Sequence, residues 1–213
     1  MDKSFIFSYL DKEYIVEITY KKVKNIIYKY KDGKFLVSSP RFVSLKLIEK
    51  NLIKFAPKLL KRADKPKAED DNFIYLLGVK INLEEGGKLT FSNGDVINYS
   101  SKEDLKNKFI KYYYDILLKR HRYWESLMQI NPPYKIRMRK VKTIFGSNSY
   151  ATKTITYSDK IIHYSMEIVD SLIVHELAHH FVRNHSKLFY DVVIKYCPNY
   201  YIYNKKLKRG IYS

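Results

Sequence analysis

The segment His175-Glu176-Leu177-Ala178-His179 places two imidazoles and a carboxylate within one short stretch. On a helix, residues four apart share a face and lie about 6 Å apart along the axis. Two imidazoles so spaced can converge on one Zn²⁺ at about 2.0–2.1 Å. Glu176 then stands beside them, placed to accept a proton from a water that the metal activates. Histidine is scarce, with 6 in 213 residues, so a chance match to this pattern is rare. Helices without metal do carry such matches, and context decides between the two. Here Ile173, Val174, Leu177 and Ala178 make the segment apolar. A buried helix leaves two histidines and a glutamate without partners only at a large cost. A metal ion supplies the partner.

A catalytic zinc needs a third protein ligand and an open position. No Glu follows His179, which excludes a later glutamate as that ligand. The downstream candidates are His180, His185, Asp191 and Cys197. His180 is turned about 100° from His179 on a helix and faces elsewhere, as a surface or supporting imidazole would. Cys197 precedes Pro198 at a helix end and suits a small core position. His185 is the best candidate. Six residues on, an unbroken helix would carry it about 9 Å along and onto another face, so the helix must turn first. Asn184 can adopt the left-handed conformation that ends helices, and Ser186 can cap the next one. The spacing equals that of metzincins. However, Val182 stands where those enzymes have Gly, and no Met follows Met166 to form their Met-turn.

The elements around this motif read as strands, helix, strands, helix, strands and two helices, an α+β order. Tyr14, Val16, Ile18 and Tyr20 alternate on one strand face, and Ile26–Tyr30 and Lys34–Val37 flank the turn signal Asp32-Gly33. Leu45, Ile48, Leu52, Phe55 and Leu59 mark an amphipathic helix, with a break or kink expected at Pro57. Hairpins are expected about Gly78 and Asn93-Gly94. A long helix opens at Ser101 and ends at Asn131-Pro132-Pro133. Strands are expected over 134–138, 141–145 and 152–157, with a polar turn at 146–149. The strand at 152–157 is expected to pair an extended substrate at its edge. Helices are expected over 167–182 and 187–196. We place a β-rich region with one helix at 1–100 and the catalytic part at 101–213.

Composition narrows the class. Hydrophobic residues make up 46%, which supports a sizeable core and excludes wholesale disorder. The single cysteine, Cys197, excludes an intramolecular disulfide and suits a reducing compartment. Phe5-Ile6-Phe7 is too short for a signal sequence, and no stretch is long enough to span a bilayer. A cytoplasmic protein without a membrane partner is expected. The net charge of +18 attracts polyanions or reflects a Lys-, Tyr- and Ile-rich composition. The basic, aromatic-interleaved segment 106–142, with Lys111, Lys119, Arg120, Arg122, Arg137, Arg139, Lys140, Tyr112, Tyr113, Tyr114, Tyr123 and Trp124, allows a nucleic-acid-binding module, its metal structural or absent. A solvated helix face over a core stripe explains the same residues. The sequence leaves the oligomeric state open.

The stretch His-Glu-Leu-Ala-His-His-Phe-Val-Arg-Asn-His-Ser-Lys-Leu-Phe (175–189), running on to Cys197-Pro198-Asn199-Tyr200 and Leu207, resembles the YgjP-like metallopeptidases. These are related to the SprT-like proteases. The likeness is specific over about residues 134–207. It implies a zincin-like catalytic part with a helical hairpin, and a protein or peptide substrate. It also implies His185 as the third ligand beside His175 and His179, with Glu176 as general base. Relatives that act on DNA-bound proteins would let nucleic-acid binding and peptide hydrolysis coexist. Where the family has Trp-Gly-Ser-Cys before the catalytic helix, this chain has Phe145-Gly146-Ser147-Asn148, which the resemblance implies is an edge strand and turn beside the cleft.

Overall fold

The computed structural model describes residues 3–84, 86–141 and 143–213. The architecture is the expected mixture, with a β-rich first half and helices after it. Two compact units divide between Lys65 and Pro66.

In the first unit, β1 (Lys3–Tyr9), β2 (Lys12–Tyr20), β3 (Ile27–Lys31) and β4 (Lys34–Ser39) form one sheet in the order β1-β2-β4-β3. β1 is an added strand where only a short apolar patch was read. Its Phe7 is buried with Val16 and Ile18 of β2, Phe35 and Val37 of β4, and Ile48, Leu52 and Ala56 of α1 (Leu45–Ala63). Ser44 caps α1, its side chain accepting the amide of Leu47. α1 runs unbroken through Pro57, which lies on the exposed face, where a carbonyl left without its donor can face water.

The second unit begins with two hairpins, β5 (Phe73–Leu76) with β6 (Val79–Asn82) and β7 (Lys88–Thr90) with β8 (Val96–Asn98). Ile74, Leu76 and Ile97 are buried in one core with Ile168, Val169 and Ile173. The hairpins therefore belong with the second unit, in whose core their apolar faces are buried. Gly78 shows how tightly the first hairpin docks. A Cβ there would lie 2.8 Å from the Tyr212 carbonyl oxygen and 2.9 Å from the Ser165 Cβ.

α2 (Lys102–Leu127) starts at Ser101, whose hydroxyl accepts the amide of Asp104. Its Leu105, Phe109, Tyr113 and Leu117 face the core. A three-stranded sheet comes next in the order β10-β11-β9, from β9 (Lys135–Arg139), β10 (Gly146–Ser149) and β11 (Thr154–Ser158). The expected strand at 141–145 and turn at 146–149 are thus corrected, although Lys142 lies outside the described residues. β10 occupies the polar Gly-Ser-Asn-Ser segment, since pairing with β11 overrides its weak strand propensity. β11 is the central strand, so it has no free edge for a substrate; β10 has.

α3 (Met166–Ala178) is apolar on nearly every side because α2, α4 (Lys187–Tyr196), α5 (Tyr200–Arg209) and β10 all pack against it. It ends before the expected Val182. The amide of His180 bonds the Leu177 carbonyl three residues back, so the last turn tightens. Asn184 is not left-handed; the turn at 177–182 ends the helix instead. α5 is a further helix beyond the expected two, closed by the left-handed Gly210. No helix is long and apolar enough to cross a membrane among the described residues.

Candidate metal centre

The buried face of α3 fixes one half of the site. His175 and Glu176 sit in its last turns and His179 caps it. His185 stands exposed in the connection before α4. The structure brings His175, His179 and His185 together, with one potential ligand atom from each lying within 4.8 Å of the others. The Nε2 atoms of His175 and His185 are 3.2 Å apart. That matches the edge of a tetrahedron with zinc–nitrogen bonds of about 2.0–2.1 Å, which is about 3.3 Å.

The outer ring nitrogens are also engaged. His179 Nδ1 lies 3.2 Å from the Val182 carbonyl oxygen. His175 Nδ1 lies 2.8 Å from the Tyr200 hydroxyl. Beneath all three imidazoles lies Phe189 of α4, fully buried, with ring centroids 5.0, 4.6 and 4.8 Å from His175, His179 and His185.

Burial is the main electrostatic force here. It pushes His175 down to about 3, helped by the neighbouring imidazoles His179 and His185. It also lowers His179. Neutral imidazoles are the form that ligates metal. Burial pushes the Glu176 carboxyl up to about 8. A cation at the three imidazoles would favour its ionised form. The donor set therefore fits a divalent metal: three imidazole nitrogens, a carboxylate beside them and an open side. That side is a cavity of about 450 Å³ reached by His175, Glu176 and His185 and walled by Phe145, Leu172 and Leu207.

β10 completes the wall. A Cβ on Gly146 would sit 2.5 Å from Glu176 Oε1, so glycine clears the space that the carboxylate fills. Asn148 Nδ2 donates to the Glu176 carbonyl at 2.7 Å, the carbonyl that the tightened helix end leaves to it. The other third-ligand candidates lie apart from this cluster. His180 turns to the Tyr134 hydroxyl at 3.1 Å, Asp191 is exposed, and Cys197 is buried among Val174, Phe189 and Val193. Tyr200 enters the sequence pattern only as part of the family resemblance, with no role of its own, because α5 is not among the helices that the pattern marks. Asn199 and Gly210 at its ends, with the basic last turn, are the signals that mark it.

Part of the basic, aromatic segment serves the fold. Lys106 pairs with Glu69 at 2.7 Å, Arg120 pairs with Asp170 and Arg122 with Glu125. Tyr113 is fully buried and Tyr112 stacks on Phe91.

No curated protein matches the chain. Among solved structures, it is similar to the metallopeptidase zymogen of Pyrococcus abyssi abylysin, at 22% identity and a TM-score of 0.41, over 43% of this chain and 90% of that one. It is also similar to the metallopeptidase zymogen of Methanocaldococcus jannaschii jannalysin, at 20% identity and a TM-score of 0.38, over 42% and 94%. The family described as YgjP-like, metallopeptidase domain, matches residues 24–210, most of the chain. This protein therefore belongs to the YgjP-like metallopeptidases.

Proposed function

We propose that the protein is a zinc-dependent peptidase in which His175, His179 and His185 hold the metal and Glu176 is the general base. The observation that carries this reading is the gathering of three imidazoles at one cavity with a buried carboxylate beside them. Bound zinc supplies Lewis-acid polarisation of the scissile carbonyl and lowers the pKa of the attacking water to about 7. Glu176 takes the proton of that water on a carboxylate oxygen and delivers it to the leaving amine. Gly146 and Asn148 keep Glu176 in place from the β10 side. The free edge of β10, with Ser147 and Ser149 exposed, offers main-chain hydrogen bonds to an extended protein or peptide substrate. Phe145, Leu172 and Leu207 exclude water from one side of the cavity.

The decisive experiment pairs metal analysis with a peptidase assay. Wild-type protein is expected to hold one zinc per chain. Glu176→Gln is expected to keep that zinc and lose about 10²- to 10⁴-fold in kcat. A wild type that takes up no stoichiometric metal refutes the proposal.

A further inference from the structure

We propose that Tyr200 is a positioning residue for the metal centre. Its hydroxyl oxygen accepts the Nδ1–H of His175, which leaves the lone pair of Nε2 facing the metal. This rests on the zinc reading above and goes beyond it, since Tyr200 itself has no place among the ligands or the groups that move protons.

Three observations support it. The Tyr200 hydroxyl lies 2.8 Å from His175 Nδ1. The two rings are nearly parallel, 10° apart with centroids at 5.7 Å, so Tyr200 constrains the plane of the imidazole as well as its tautomer. The His175 Nε2 is the atom that faces His185, 3.2 Å away, so Nδ1 is the outward nitrogen. An imidazole protonated on Nδ1 presents Nε2 as a lone pair, and a partner on the outer nitrogen both selects that tautomer and raises ligand basicity.

The ligands differ in how they are held. His179 relies on the main-chain carbonyl of Val182, which no substitution removes. His175 relies on a side chain brought by α5. Tyr200 is placed by the turn after Pro198, where its amide bonds the Cys197 carbonyl at 3.0 Å. The Tyr200 side chain is itself buried, at 4% exposure, which holds the ring against His175.

The test is Tyr200→Phe, which keeps the ring and removes the hydroxyl. Zinc affinity is read by competition with a chelator. The variant is expected to bind zinc about 10- to 100-fold more weakly. Tyr201→Phe, which alters an exposed neighbour, is expected to bind as wild type does. A role in packing alone would lower the melting temperature of the metal-free protein and leave zinc affinity unchanged. Equal affinity in Tyr200→Phe and wild type therefore overturns the inference. A second measurement needs no variant. In zinc-loaded, ¹⁵N-labelled wild type, the His175 Nδ1–H is expected to be protected from solvent exchange, and a freely exchanging proton overturns the inference. Wild-type protein that takes up no zinc refutes the zinc reading and this one together, whereas a variant that binds as tightly as wild type refutes this one alone.

Discussion

The site is made of two halves held by different means. His175 and Glu176 ride on α3, a helix buried on nearly all sides. His185 stands exposed in the connection between α3 and α4. The first half owes its geometry to packing that would exist without any metal. The second half is set by a short connection with little of its own surface buried. A helix packed by four elements positions groups rigidly, while a loop residue can adjust to the ion that it closes upon.

The largest expected effect tests this contrast directly. His175→Ala and His185→Ala should each lower zinc affinity by roughly a hundredfold, about 3 kcal/mol, a one-ligand share of a typical structural zinc site. Only His175→Ala should also destabilise the metal-free protein, by about 0.5–3 kcal/mol, because His175 is half-buried on a packed helix whereas His185 is exposed. Chelator competition and thermal melts of the two apoproteins measure both quantities. Equal destabilisation would erase the distinction between the halves.

Gly146→Ala sharpens the same contrast on the chemical side. The added methyl would displace the Glu176 carboxylate, since the Cβ position is 2.5 Å from Oε1 and Glu176 is only 4% exposed. A misplacement of about 1 Å costs on the order of 10²-fold in kcat. Zinc content should not change, because the imidazoles are untouched. A Gly146→Ala enzyme with full kcat would show that the carboxylate has more freedom than its burial implies.

Asn148→Ala should have the smallest effect. It leaves the Glu176 carbonyl without its 2.7 Å donor and should cost about 1 kcal/mol, a fall of about 2–4 °C in Tm. No change in Tm would mean that water replaces the amide and that β10 does not need this tie.

The helix-borne half is also the half that can be read from sequence. Its residues lie within a few positions of one another, and helical periodicity converts that spacing into geometry. His185 demanded a turn whose form was not foreseen: the helix ends through the bond from His180 to Leu177, not through a left-handed Asn184. The supporting residues were harder still. Gly146 and Asn148 stand in a segment whose own residues read as a turn; the family resemblance implies an edge strand there, and pairing with β11 makes it one. Tyr200 lies 25 residues from the ring it touches, on a helix rich in Lys and Tyr, whose apolar stripe is too sparse to announce itself. Local pattern reports local partners, while contacts made by tertiary docking leave little trace in composition.

Phe189 carries one more consequence. A single ring touches all three imidazoles, and it belongs to the helix immediately after them. Seating of α4 and assembly of the three histidines are therefore parts of one equilibrium. An ion that binds the assembled set must, by linkage, hold α4 down, and withdrawing the ion must release part of that grip. Amide exchange along residues 187–196 would then slow when zinc is added and quicken when it is chelated, making this helix a gauge of metal content.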